Sequence, residues 1–134
     1  MLRLKRHFLN DPVAIGALRK LYKEGKMGSV ASFRVGRIYV RVQRELAETG
    51  QRAIAIHKKY CKLDVAGSPV GLREGKIEFT KPEDEAIHDK EFDDLLNEEF
   101  EEKVMKIPLK DLDGSLLSPE EISSLHPILE LPEE

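Results

Sequence analysis

The chain has 134 residues, of which 40% are hydrophobic and 35% charged, a composition that predicts one domain with a modest core. One cysteine excludes an internal disulfide framework, so we expect a reducing compartment. No apolar run approaches the roughly 20 residues of a membrane span, and residues 1–10 lack the apolar stretch of a signal peptide. We therefore expect a protein that stays in the cytosol where it is made.

Charge is strongly polarised along the chain, although the net charge is only −3. Residues 1–63 hold 15 basic and 4 acidic side chains, whereas residues 64–134 hold 7 and 21. This division is typical of a nucleic-acid-binding half with an acidic tail, and equally of an acidic segment that folds against a basic helix. We favour the second interpretation because the acidic half also carries apolar residues.

The segment before residue 29 predicts a short arm and one helix. Leucines alternate with basic residues near the start, which is typical of a strand or an extended arm. Asp11 followed by Pro12 predicts a helix start, because the carboxylate caps free N–H groups and proline costs nothing at the first helical position. Gly25 is placed to end this helix in a left-handed conformation. The short link that follows predicts an antiparallel hairpin with the next helix.

The stretch from Ser29 to Leu63 predicts one long amphipathic helix around which the chain is organised. Its main apolar seam alternates spacings of four and three, as a buried helix face does. The seam consists of Val35, Tyr39, Val42, Leu46, Thr49, Ala53, Ile56, Tyr60 and Leu63. A second row, expected to widen the buried face, consists of Phe33, Val40, Ala47, Ile54 and Cys61. The predicted apolar interaction surface is Val35, Tyr39, Val42, Leu46, Ile56 and Tyr60.

A stripe of arginines lines the opposite side of this helix. It consists of Arg34, Arg37, Arg41 and Arg44. Guanidinium groups bind phosphates and carboxylates alike, so the stripe fits a nucleic-acid backbone or an acidic helix, its own or a partner's. A solvated face is the alternative. The acidic pI of about 5.9 and the lack of interleaved aromatic residues weigh against nucleic acid, and we favour carboxylates as the ligands of the stripe.

The next segment predicts a loop and an acidic helix. Residues 64–80 are rich in glycine and proline and indicate a loop, with a small hairpin in which Leu72 pairs near Ile77 and Phe79. Pro82 then opens a helix whose first turn is acidic. The apolar stripe of this helix is Phe92, Leu95, Leu96 and Phe100.

The end of the chain predicts an extended segment and a short helix. Residues 104–109 place apolar side chains at every second position, which predicts an edge strand. A turn is expected at Asp113-Gly114. The segment Ser118-Pro119-Glu120-Glu121 predicts a capping box that opens a short helix.

The fold class expected from these elements is mainly α. An N-terminal arm and an antiparallel helical hairpin with a long second helix occupy residues 1–63. A loop, an acidic helix and a small strand-and-helix module occupy residues 64–134. We expect this acidic module to pack on the hairpin or extend from it, within a single domain overall.

The sequence predicts neither an active site nor a metal site. The four histidines are scattered without a His-x3-His pair, and no second cysteine lies near Cys61. Cys61 falls on the second apolar row and is expected to be a small core residue rather than a nucleophile. The carboxylates of residues 83–102 are numerous, but paired catalytic acids need a pocket that so short a chain hardly builds. We predict no catalytic residues, no metal ligands and no cofactor.

Several short motifs follow one another along nearly the whole chain. They are His57-Lys58-Lys59-Tyr60, Glu91-Phe92-Asp93-Asp94-Leu95-Leu96-Asn97, Lys106-Ile107-Pro108-Leu109, Leu117-Ser118-Pro119-Glu120-Glu121 and Leu125-x-Pro127. In this order and spacing they resemble a family of small, largely uncharacterised tailed-bacteriophage proteins. The loop after the first motif departs from the glycine-rich and asparagine-rich turn of that family. The resemblance implies an accessory or structural protein and carries over no catalytic residues.

Three functions are therefore weighed. The leading hypothesis is a non-enzymatic bacteriophage structural or assembly-accessory protein that docks through its hairpin and C-terminal segment onto larger virion proteins, or onto its own copies. It would lie in the virion, or in the host cytoplasm during assembly. The alternative is a nucleic-acid-binding or host-modulating protein that uses the arginine stripe. An enzyme is disfavoured, and no membrane partner is expected.

Overall fold

The computed structural model describes residues 1–113 and 117–132. This part of the chain is mainly helical, with a long second helix and short strands, so the predicted fold class is confirmed. Contacts within the chain form two compact units. The terminal unit comprises Met1–Leu46 and Glu98–Glu134, and the central unit comprises Ala47–Asn97. This grouping differs from the predicted boundary at residue 63, because the long helix contributes to both units and the C-terminal segment belongs with the N-terminal one.

The elements follow one another in an order close to the predicted one. In chain order they are β1 (Leu2–Lys5), α1 (Pro12–Glu24), α2 (Ser29–Tyr60), α3 (Asp84–Asn97), β2 (Glu99–Glu102), β3 (Ile107–Pro108), α4 (Pro119–Ser124) and β4 (Leu129–Glu130), with 3-10 turns at Arg6–Asn10, Leu109–Leu112 and His126–Ile128. The long helix ends three residues before the predicted end because the backbone beyond Tyr60 pairs with another segment. The Lys62 N–H donates to the Glu78 carbonyl at 2.9 Å, and the Thr80 N–H donates to the Tyr60 carbonyl at 3.0 Å.

The N-terminal arm forms a strand in the terminal unit, as predicted. β1 pairs antiparallel with β2, so that Leu4 lies opposite Phe100. Leu2, Leu4 and Phe100 are buried on the same face of this two-stranded sheet. The prediction that Phe100 belongs to the stripe of the acidic helix is wrong, because α3 ends at Asn97 and the chain continues as β2.

The first helix begins as predicted but ends differently. The Asp11 carboxylate accepts hydrogen bonds from Val13 N–H and Ala14 N–H at 3.0 and 3.1 Å. Gly25 has φ −63°, so the predicted left-handed conformation is wrong. Its backbone instead runs close to the Leu21 carbonyl oxygen, where a Cβ atom would collide. A close backbone approach, and not a positive φ, requires glycine here.

Two partners pack against α1 within the terminal unit. Its neighbour along the chain is α2, on which the Tyr22 ring stacks against Tyr39 with 4.2 Å between ring centroids. Its distant neighbour is α4, where the Lys20 ammonium lies 3.0 Å from the Glu121 carboxylate. The predicted capping box of α4 is confirmed, with both the Ser118 and the Glu121 side chains bonded to backbone N–H groups. Of the predicted Asp113-Gly114 turn, Gly114 lies outside the described residues.

The buried face of α2 is rotated from the predicted seam. Its buried residues are Ala31, Val35, Ile38, Val42, Glu45 and Thr49. Within the predicted interaction surface, Val35 and Val42 are buried, whereas Tyr39, Leu46, Ile56 and Tyr60 are half-buried. The second row is mostly exposed, with Phe33, Val40, Ala47 and Ile54 facing outward and Cys61 alone buried. The prediction that this row widens the buried face is therefore wrong.

In the loop after α2, the backbone segments pair in a different register from that of the predicted hairpin. The Glu78 N–H donates to the Val70 carbonyl at 2.9 Å, and the Val70 N–H donates to the Lys62 carbonyl at 2.8 Å. Gly71 and Gly75 have φ of +84° and +76°. Residues other than glycine rarely adopt these positive φ values. The turn therefore lies between the two glycines. Leu72 is therefore a turn residue, and its predicted pairing is wrong.

Candidate functional site

Arginines of the predicted stripe bind acceptors of the terminal unit. The Arg34 guanidinium donates to the Lys106 carbonyl at 3.0 Å. Arg37 donates to one Glu102 oxygen from Nη2 at 2.7 Å and from Nε at 3.2 Å. Arg44 is exposed and makes no ion pair with the described residues. The carboxylate that meets Arg37 comes from β2, and not from the acidic α3.

A buried charge cluster lies behind this stripe. Glu45 is 3% exposed, and its two carboxylate oxygens lie 2.8 Å from Arg6 Nη1 and 2.9 Å from Arg41 Nη2. Both guanidinium carbons lie about 6 Å from the centre of the Phe100 ring, within cation–π range. Arg6 and Glu45 are not among the predicted interaction residues. The position of Glu45 between Val42 and Thr49, at buried-face spacing, was the available signal.

The ion pair between Arg37 and Glu102 should make the stability of the protein fall at acidic pH. Hydrogen bonds from Arg37 are the main reason that the pKa of Glu102 lies below its ordinary value of 4.5. A lowered folded-state pKa stabilises the protein fully above the ordinary pKa, and the contribution is lost as pH falls through the folded value. We therefore expect the Glu102→Gln variant to lose less stability than the wild type between about pH 5 and about pH 3.

Chemical denaturation at several pH values measures this difference. Glu99→Gln, at an exposed position of the same strand, is the matched control and should keep the wild-type pH dependence. An unchanged pH dependence in Glu102→Gln would show that the Arg37 pair does not set the acid response.

The central unit brings together three metal-ligating side chains. His57 lies on the last turn of α2, Cys61 directly follows that helix, and His88 lies on α3. His57 Nδ1 is 3.2 Å from His88 Nε2 and 3.7 Å from Cys61 Sγ. The three ligand atoms all lie within 4.8 Å of one another. Within the described part of the chain, this is the group whose residues could hold a metal ion.

A carboxylate and two aromatic rings surround this group. Asp89 Oδ1 lies 3.0 Å from His88 Nδ1. The Phe79 ring meets His88 edge-on, and the Phe92 ring lies 5.0 Å from both histidine rings. His88 and Cys61 are themselves buried. The group therefore has a largely apolar shell with one charged group behind His88.

Burial shifts the titration of two members of this group. The pKa of His57 is lowered, first by burial and then by the nearby His88. The pKa of the Cys61 thiol is raised, again first by burial and then by the charge of Asp89. A raised thiol pKa disfavours the free thiolate, which is consistent with the prediction that Cys61 is no nucleophile.

The interpretation of the histidines as scattered is wrong for His57 and His88. The available signal was the spacing His57-x3-Cys61, which places both side chains on one face of a helix. The contribution of His88 comes from a separate helix 31 residues away. The loop and the packing of α3 determine the position of His88, and no motif in the sequence predicts that position.

Comparison of the chain with models of protein families, with curated proteins and with solved structures finds no match in any of the three. In the part of the chain that the structure describes, no helix is long and apolar enough to cross a bilayer. The resemblance to a bacteriophage family therefore stays a prediction, and function has to be inferred from the geometry of the surface.

Proposed function

We propose that this protein is a non-enzymatic bacteriophage structural or assembly-accessory protein that docks on a larger virion protein. The observation that carries the proposal is a docking row on the N-terminal half of α2, with residues at helical spacings of three and four. The docking row consists of Val30, Phe33, Arg37, Val40 and Arg44. Its three apolar members are each more than half exposed. Large apolar side chains aligned on one exposed helix face are typical of a protein interaction surface.

The composition of the docking row indicates the chemistry of its partner. Phe33 and Val40 need an apolar surface, and Arg44 is available to an external carboxylate. Arg37 is paired with Glu102, but half of its side chain remains exposed. We infer that the partner presents an apolar groove with acidic residues at its rim, which is the complement of this row.

The same geometry weighs against a nucleic-acid backbone as the partner. Arg37, Arg41 and Arg44 line an open groove of about 520 Å³ together with Glu101, Glu102 and Lys103. Acidic side chains in this groove repel phosphates, and the paired arginines would have to leave their present partners. The nucleic-acid-binding alternative is therefore less favoured and becomes an outcome of the test.

A protein inventory of purified phage particles by mass spectrometry tests the proposal. We expect the wild-type chain in particles or their assembly intermediates, and we expect the Phe33→Asp/Val40→Asp variant to be lost from them. Circular dichroism should show unchanged helicity, because both positions are exposed. Gln43→Asp, exposed on the same helix but outside the docking row, is the matched control and should still be incorporated. Absence of the wild type from particles and intermediates would overturn the proposal.

Fluorescence anisotropy with duplex and single-stranded DNA and RNA tests the alternative. Phosphate binding loses affinity steeply with salt, so the titrations compare low and physiological salt. Tight binding at physiological salt that is lost in the Arg37→Glu/Arg44→Glu variant, with helicity kept, would favour the nucleic-acid function over docking.

A further inference from the structure

We propose that the central unit binds one Zn²⁺ ion through His57 Nδ1, Cys61 Sγ and His88 Nε2. This site is independent of the docking row, which lies in the terminal unit. The ion would tie the end of α2 to α3 within the central unit. Its fourth coordination position would be filled by a solvent molecule, as in zinc sites with three protein ligands.

Two of the three separations between ligand atoms fit tetrahedral zinc. Zinc lies about 2.0–2.1 Å from histidine nitrogen and about 2.3 Å from cysteine sulfur. Tetrahedral angles then place two nitrogens about 3.4 Å apart, and a nitrogen and a sulfur about 3.6 Å apart. The corresponding distances are 3.2 Å between the histidines and 3.7 Å between His57 and Cys61. The third separation, between His88 Nε2 and Cys61 Sγ, is at most 4.8 Å, so these two atoms would approach each other by up to about 1.2 Å to reach about 3.6 Å around the ion.

The backbone holds the first two ligands in place. The Cys61 N–H donates to the His57 carbonyl at 2.8 Å, which continues the helical hydrogen bonding of α2 through Cys61. Side chains four residues apart then lie on the same helix face. Cys61 also forms an antiparallel bridge with Phe79, so its backbone is fixed on the side of the loop as well.

The third ligand is oriented by a carboxylate. In the tautomer that donates His88 Nδ1–H to Asp89, the Nε2 lone pair is directed at His57. Metal-binding histidines characteristically make such a bond from the ring nitrogen that does not touch the metal. Asp89 therefore has the position of a group that orients a metal ligand.

One nitrogen, His57 Nδ1, is the hydrogen-bonding atom that the other two side chains share. His57 Nδ1 faces both His88 Nε2 and Cys61 Sγ, but one proton on Nδ1 can be shared with only one of them. A divalent cation at the centre accepts a lone pair from all three ligand atoms at once. The Phe79 and Phe92 rings contact the histidine rings and give the ligands an apolar surround, which is a feature that tunes metal sites.

Metal titration of the full chain after chelator treatment tests the site. Zn²⁺ added in competition with a chromophoric chelator should bind with a stoichiometry of one ion per chain and raise the melting temperature. Co²⁺ in place of Zn²⁺ should give a thiolate-to-cobalt charge-transfer band and the visible bands of a four-coordinate ion. Absence of one-to-one binding, or a cobalt spectrum without the thiolate band, would overturn the proposal.

Variants separate the site from adventitious binding. Cys61→Ser should abolish the charge-transfer band, and Asp89→Asn, at an exposed carboxylate, should weaken Zn²⁺ binding about 10–100-fold. His126→Gln, an exposed histidine outside the cluster, is the control and should bind as the wild type does. Equal affinities in Asp89→Asn and the control, or equal affinity in Cys61→Ser, would show that the metal does not occupy this cluster. Asp89→Asn keeps the test decisive if Cys61→Ser does not fold.

Discussion

Replacing Glu45 by glutamine should cost about 3–5 kcal/mol of unfolding free energy. The substitution keeps the shape of the side chain but removes the negative charge between Arg6 and Arg41. Arg6 is 6% exposed, so its guanidinium loses an ion-pair partner at a position where water cannot replace it. Arg41 is more exposed and recovers part of its solvation, so most of the cost falls on Arg6.

Urea denaturation of the purified variants measures this cost. Glu48→Gln, at an exposed position of α2 three residues further on, makes the same chemical change and should cost no more than about 1 kcal/mol, because solvent screens the interactions of an exposed carboxylate. The Arg6→Met/Glu45→Met variant should recover much of the loss, because apolar side chains of similar volume often replace a buried ion pair without cost. Equal midpoints for Glu45→Gln and Glu48→Gln would contradict the buried cluster.

Local signals predicted the starts of α1 and α4 for a physical reason. The Asp11 cap and the Ser118 capping box both depend on side chains that bond backbone groups two or three residues away. All participants in such a bond are visible in a short window of sequence.

The pairing of segments that are distant in the sequence could not be predicted from local signals. Strand β2 is Glu-Phe-Glu-Glu, and glutamate is uncommon in strands, so its composition favoured a continued helix. Only β1, almost a hundred residues away, makes this segment a strand. The third member of the metal-ligating cluster, His88, is likewise placed by tertiary packing, whereas the His57-x3-Cys61 pair could have been recognised in the sequence.

The phase of α2 shows why periodicity alone is insufficient. Two neighbouring rows of the helix are apolar, and the pattern does not indicate which of them faces the core. The buried face in the structure includes Glu45. A charged residue is not expected to be buried, but Arg6 in a 3-10 turn provides the ion-pair partner that stabilises Glu45 there. The apolar row that remains outside is then left available for a partner, which links the wrong prediction directly to the proposed function.

A matched pair of alanine substitutions on α2 tests this phase. Ile38→Ala should cost about 2–5 kcal/mol, because Ile38 is 1% exposed and its removal leaves a cavity in the terminal unit. Phe33→Ala removes a larger apolar side chain, but that side chain is 64% exposed, so stability should change by no more than about 0.5 kcal/mol.

The informative result is which substitution costs more stability. Transfer free energy alone predicts a larger loss for Phe33→Ala than for Ile38→Ala. Phenylalanine carries more apolar surface than isoleucine, so a helix with both residues buried would lose more stability from Phe33→Ala. We expect thermal and urea denaturation to show the loss only for Ile38→Ala. A larger loss for Phe33→Ala would mean that the docking row faces a core, and it would remove the observation that supports the proposed docking function.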